Sequence, residues 1–297
     1  MFVSFFKKKK RKMPLSGLYI GNNWIRYISL GWEGGYLAVQ KVCKKTIPRE
    51  NLLFKTFDDW VTRIKEIKNE MGIPHNSLLN CALPIRETYF ETLKFPIMQR
   101  NELEKSIRWE CQRRLKKKWE DLCFDSYCYK EQEDSSESLL LVALTSRKTV
   151  SKFLKILKRC KLGASCLEPP QLALLRGLQG PYQDDYLPLS VFCPKGNNVI
   201  KIYISPEGVI SSELIDFDEE GLLGDENPYY SFPENPHWFW VSHALKDKKA
   251  ILKTFSTNMR ELPPLQNMWS LDDKGQSIVG YEIALGLALR DFLCTSN

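Results

Sequence analysis

The chain has 297 residues and only three histidines, His75, His237 and His243, with no pair at metal-ligand spacing. It has no Gly-x-Ser-x-Gly elbow and no Walker loop, which removes the usual serine-hydrolase and P-loop readings. No run reaches the roughly 18 apolar residues of a spanning helix. A secretory signal would place charge first and an apolar stretch after it. Here Phe2, Phe5 and Phe6 stand before the basic run, so no such signal is expected. Cysteines are present but ill-matched. The nine are odd in number and scattered, and the closest pair, Cys123 and Cys128, lacks zinc-knuckle spacing. They are expected to be free thiols in a reducing cytoplasm, with no metal site.

What remains is an ordinary globular composition. Hydrophobic residues make up 43% and charged residues 27%, enough for two cores. The net charge is +7, and residues 7–12, Lys-Lys-Lys-Lys-Arg-Lys, supply +6 of it. The rest is near neutral, so the charge balance does not imply a whole-protein nucleic-acid surface. Residues 1–14 read as a solvated basic tail. The functional reading of that tail is contact with an anionic membrane surface through Phe5, Phe6, Lys7, Lys8, Lys9 and Lys10. Nucleic acid is the weakest partner reading, since no aromatics interleave the cations.

Periodicity then sets the order of elements. Leu15 to Ile47 reads as three strands, with turns at Gly21-Asn22-Asn23 and Gly31–Gly35. Thr56 to Met71 reads as a helix through Phe57, Trp60, Ile64 and Ile67. Strands are expected over Leu78–Leu83 and Glu87–Lys94. A basic helix is expected over Gln99–Trp119, with Leu103, Ile107, Cys111 and Leu115 as its apolar stripe. Strands at Trp119–Glu131 and Leu139–Leu144 precede a helix at Thr149–Cys160, with Val150, Phe153, Leu154 and Leu157 inward. After a strand at Leu162–Leu167 and a helix from Gln171, Gly180–Asp185 forms a polar link. A second meander follows, Pro188–Phe192, Val199–Ile204 and Val209–Phe217, which suggests a duplicated α/β architecture. Ser277–Leu293 reads as a closing helix, where Ala284, Gly286 and Ala288 permit close backbone approach.

Several of these stretches together resemble the type IV pilus assembly PilM family, which is actin-like and related to FtsA. They are Phe5-Phe6-Lys7-Lys8 before the first strand, Gly17-Leu18-Tyr19-Ile20-Gly21, Ala82-Leu83-Pro84, Leu93-Lys94-Phe95-Pro96, Trp109-Glu110, Asp125-Ser126-Tyr127 and Ala284–Arg290. The resemblance implies an α/β, actin-like, duplicated RNase H-like fold with an inserted small α/β subdomain. Its expected divisions are 1–14 as the tail, 15–47 with 161–183 as the first actin-like subdomain, 48–160 as the insert and 184–297 as the second. It also implies a phosphate turn with an acidic residue where Tyr19 stands. A second turn reads Cys193-Pro194-Lys195-Gly196, again without an acid. Ser242-His243-Ala244 replaces the glycine pair of the adenosine site, and the stretch between Phe217 and Trp238 is short for a roof subdomain.

The resulting expectation is a scaffold that does not turn over ATP. Tyr19, Gly21, Asn22, Asn23, Arg26, Lys195 and Gly196 would line a vestigial nucleotide cleft, with no cofactor expected. By resemblance, the partner is the short cytoplasmic tail of an inner-membrane PilN-like protein, met around Leu83, Pro84, Phe95 and Trp109. The expected setting is the bacterial cytoplasm at the inner membrane, in a pilus, competence or type II secretion-like machine, with self-association left open. The alternative is an active ATPase of the same fold that binds ATP and magnesium.

Overall fold

In the computed structural model, the described residues are 15–21, 24–33, 36–46, 57–115, 118–131, 137–179, 187–195, 198–205, 210–215, 217–218, 221–222, 237–241, 259–261 and 281–293. They form two compact units.

The first unit gathers the described residues of 4–88, 148–183 and 263–297. It opens with β1 (Ser16–Ile20), β2 (Trp24–Glu33) and β3 (Tyr36–Thr46), an antiparallel meander. Helix α1 (Phe57–Glu70) leads to β4 (Ser77–Ala82), which lies parallel beside β1. The chain then departs for β5 (Thr88–Pro96), α2 (Arg100–Leu115), β6 (Leu122–Glu131) and β7 (Glu137–Ser146). It returns through α3 (Arg147–Arg159) to β8 (Leu162–Glu168), parallel to β4. The sheet order is β3-β2-β1-β4-β8. All five residues of β1 are buried, as a central strand covered on both faces requires. One face carries Leu18, Ile20, Ile25, Leu79 and Cys81 against Trp60, Ile64 and Ile67 of α1 and Phe153, Ile156 and Leu157 of α3. The other face receives α5 (Glu282–Leu293), and α4 (Pro170–Gln179) packs against α5.

The second unit holds 89–147 and the described residues of 184–262. Strands β9 (Leu189–Lys195), β10 (Asn198–Ile204), β11 (Ile210–Ile215), β14 (His237–Val241) and β15 (Met259–Glu261) form a sheet of order β11-β10-β9-β14-β15. A two-stranded ladder, β12 (Phe217–Asp218) with β13 (Gly221–Leu222), stands apart. In both five-stranded sheets three antiparallel strands precede two parallel ones, in the same spatial order. The duplication and the actin-like fold are therefore present in the topology. The same unit contains the sheet β5-β7-β6, with α2 laid over it through Ile107 and Cys111.

The domain boundaries need correction. The insert is narrower than 48–160, because α1 and α3 build the first core and β4 is bonded between β1 and β8. It clusters with the second sheet, and the Thr92 hydroxyl donates to the Ile210 carbonyl. The expected second subdomain, 184–297, loses α5, which packs on β1. Locally, Leu154 is 44% exposed and Ile156 takes the inward place. Gly31 lies within β2 and not in a turn, because the ladder with β3 runs on through Gly31–Ala38 to Glu33–Tyr36. Residues 1–14, 242–258 and most of 219–236 lie outside the described residues, so the tail, the adenosine-site segment and the roof do too.

Close approach governs the α5 contact. A Cβ on Gly286 would stand 1.6 Å from the Ala173 carbonyl oxygen, and one on Gly17 would stand 2.0 Å from that of Ala284. Gly286→Ala should therefore lower stability by about 3 kcal/mol through overpacking, read as a shifted denaturant midpoint. Ala at Gly72, where φ is +63° and the space is open, should cost less.

Candidate functional site

Because β1, β4 and β8 run parallel, their carboxyl ends share one end of the sheet, where open α/β sheets bind ligands. At that end the β1–β2 turn is closed by a hydrogen bond from the Gly21 amide to the Trp24 carbonyl, 2.9 Å. Tyr19 pairs across the ladder with Arg26, so their side chains share a face, and Trp24 lies two residues before Arg26 on it. The Tyr19 and Trp24 rings meet edge to face at 5.0 Å and 72°. The Arg26 guanidinium sits 3.8 Å from the Trp24 ring centre and 5.5 Å from that of Tyr281. A Cβ on Gly21 would meet the Trp24 ring at 2.9 Å. The indole thus covers the glycine that the phosphate-turn reading leaves open.

The electrostatics agree with a closed stack. Desolvation lowers the Arg26 pKa, while the neighbouring Glu282, Tyr281 and Tyr19 act to raise it. Burial pushes the Tyr281 phenol up to about 12, against the pull of Arg26. The Arg26 Nε is buried with no hydrogen-bond partner among the described residues, so ring faces replace a bonded anion there.

A second cluster, which the sequence reading missed, lies at the end of β8. Glu168 accepts from Arg176 Nη1 at 2.6 Å and Nη2 at 3.2 Å, and from Arg290 Nε at 3.2 Å. Arg176 also donates to the Gly286 carbonyl, and the Glu168 carbonyl accepts from the Leu83 amide. The available signal was that Glu168 is the first acid after Glu137, directly before Pro169-Pro170. Gln171, in the first turn of α4, is buried with both amide atoms unpartnered among the described residues.

The fold implies magnesium and a nucleotide, and the residues at this turn do not fit them. Tyr19 offers a buried phenol where an acid is needed, Trp24 occupies the space over Gly21, and Glu168 is held by two arginines. Among the described residues no group of three or more His, Cys, Asp or Glu could hold a metal. Asn22, Asn23 and Gly196 lie outside the described residues. Lys195 ends β9, opposite Asn198.

The partner set divides. Leu83 is buried and Pro84 half-buried in the first unit. Phe95, half-buried against the α2 core, and Trp109, 65% exposed with Arg113 5.7 Å from its ring centre, belong to the second. Phe5, Phe6 and Lys7 to Lys10 are outside the described residues.

No protein-family model and no curated protein matches the chain. Solved structures do. A chain of a PilM-PilN type IV pilus biogenesis complex superposes with a TM-score of 0.71 at 15% identity, covering 94% of this chain and 99% of that one. The cytoplasmic domain of EpsL, an inner-membrane component of the Vibrio cholerae type II secretion system, gives 0.49 at 12% identity, covering 95% of each. A Bacteroides thetaiotaomicron protein with an actin-like ATPase fold gives 0.45 at 9%, covering 89% and 96%. At such identities the first of these is a likeness of fold.

Two outcomes follow from the site. Tyr19→Asp should give no heat with Mg-ATP in calorimetry, because Trp24 still covers Gly21, and should lower stability by burying a carboxylate. Burial and Glu70 raise the Cys43 thiol to about 11. Between the unfolded value near 9 and that value, the unfolded chain has lost the proton and the native chain keeps it, so stability falls as pH rises. Urea melts from pH 8 to 11 should lose part of this decline in Cys43→Ala.

Proposed function

We propose that the protein is a non-catalytic scaffold of a type IV pilus, competence or type II secretion-like machine, placed in the bacterial cytoplasm at the inner membrane. It binds the short cytoplasmic tail of an inner-membrane PilN-like protein. The observation that carries this reading is the superposition over nearly the whole of both chains on a member of the PilM-PilN complex. The filled turn at Trp24 and Arg26 supports the non-catalytic part, since hydrolysis needs a metal and a positioned water, which carboxylates arrange.

An extended tail can be held by strand addition or by side-chain pockets. Of Phe95 and Trp109, both in the second unit, Trp109 offers the more free surface. Exposed tryptophans carry a large share of binding energy where they become desolvated. Leu83, in the first unit, is buried and offers no free surface of its own.

The test is titration of the full chain with a peptide of the partner's N-terminal tail, followed by anisotropy. Saturable binding is expected, weakened about tenfold by Trp109→Ala with an unchanged melt. Leu83→Ala should instead cost about 3 kcal/mol of stability. Absence of binding at high micromolar peptide sinks the partner reading. A clear binding heat with Mg-ATP in the unaltered protein would favour the active-ATPase alternative.

A further inference from the structure

The outer face of α3 is a charged surface that neither the nucleotide turn nor the partner residues use. Between Glu137 and Glu168 the sequence has no acidic residue. Arg147, Lys148, Lys152, Lys155, Lys158, Arg159 and Lys161 all fall in this stretch, and all are exposed. The buried residues Phe153, Ile156, Leu157 and Cys160 mark one arc of the helix. At 100° per residue Ser151, Lys155 and Lys158 lie opposite that arc, with Lys152 and Arg159 on one flank and Leu154 on the other, and Lys161 follows just past the helix end. Leu154 is 44% exposed, so one apolar side chain stands among the cations.

This face differs from the other basic helix. On α2, Arg113 pairs with Glu110 and Arg108 with Glu120, so much of its charge is compensated. Among the described residues no carboxylate pairs with Lys148, Lys152, Lys155, Lys158 or Lys161. Arg159 lies 5.9 Å from the Phe57 ring centre.

We propose that this face of α3 docks the protein on an anionic lipid surface. Five of the seven exposed cations of this stretch are lysines, compact charges suited to diffuse headgroup charge and lacking the planar fork that reads bases. The only aromatic residue of α3, Phe153, is buried, so the helix itself offers bases no ring to stack on. Leu154 gains from the acyl boundary and gains nothing from a phosphate backbone. The inference does not depend on the peptide-binding reading.

The test is flotation of the full chain with vesicles of phosphatidylcholine alone or with about one-third phosphatidylglycerol, at physiological salt. The series is made with Lys7 to Lys10 changed to Gln, so that the tail does not mask the helix. Each lysine near an anionic surface is worth about fivefold in partition. The triple variant Lys152→Gln, Lys155→Gln, Lys158→Gln should therefore lose on the order of a hundredfold on anionic vesicles. Leu154→Ser should lose about threefold, and Lys155→Arg should bind as before, both with unchanged melting, while the triple variant, relieved of like-charge pairs, should melt no lower than its parent. Undiminished binding by the triple variant would overturn the proposal. So would equal binding to neutral vesicles, or tighter binding to duplex DNA than to anionic vesicles at the same salt.

Discussion

Backbone meets backbone where α5 crosses β1 and α4. Gly17, Gly177 and Gly286 stand where any Cβ would fall between 1.6 and 2.1 Å from a carbonyl oxygen of the facing element. Two of these glycines lie inside helices, where each costs roughly 1 kcal/mol relative to alanine. The approach they allow buries Leu285, Leu287 and Ala288 completely. It also lets polar groups of α5 reach the sheet. The Leu287 carbonyl accepts from Asn80, the Gly286 carbonyl from Arg176, and Arg290 bonds Glu168. Tyr281, just before the helix, meets Arg26. Both clusters at the carboxyl end of the first sheet are thus assembled by one close contact.

The Arg26 stack fills the place where the phosphate-turn reading puts a metal-bound phosphate. A half-buried guanidinium needs compensation for lost water, and here ring faces and a nearby carboxylate supply it. A divalent cation held at the same turn would face this fixed positive charge in a low-dielectric setting, where repulsion is several-fold stronger than in water. The phosphate turn of an ATPase keeps its glycine uncovered and its acid ionised. Here the glycine is covered and the acid is a phenol with 3% exposure. Tyr19 is accordingly one member of a packed group that also includes Trp24, Arg26 and Tyr281.

Local patterns carried much of the fold. The stripe Phe57, Trp60, Ile64 and Ile67 located α1, and the turn after Ile20 located the first hairpin. What escaped was long-range. Leu78 to Leu83 reads as a strand, yet nothing local says that it lies beside β1, some sixty residues earlier, so the insert was drawn too wide. On α3, stripes through Val150, Phe153, Leu154 and Leu157 or through Phe153, Ile156, Leu157 and Cys160 fit the helical period equally well. Only the facing sheet chooses between them. At the site, Tyr19 and Gly21 were visible as a motif, but Tyr281 comes from the far end of the chain.

The inner and outer faces of α3 also differ in what they contribute energetically. Lys148 with Lys152, Lys152 with Lys155, Lys155 with Lys158 and Lys155 with Arg159 are like charges at helical neighbour spacing. Each such pair costs a few tenths of a kcal/mol. The burial of Phe153, Ile156 and Leu157 contributes about 2 kcal/mol apiece, which outweighs that repulsion several-fold. The helix is therefore held in place mainly by its inner face, with Arg147 and Thr149 bonding Glu120 and Glu87 at its first turn. A single acid on the outer face would relieve the repulsion, as Glu110 does for Arg113 on α2. The stretch between Glu137 and Glu168 supplies no such acid, and Glu87, which accepts from Thr149, is a carboxylate set against the first turn of the helix only, so the lysines further along keep the outward positive field that contact with an anionic surface requires.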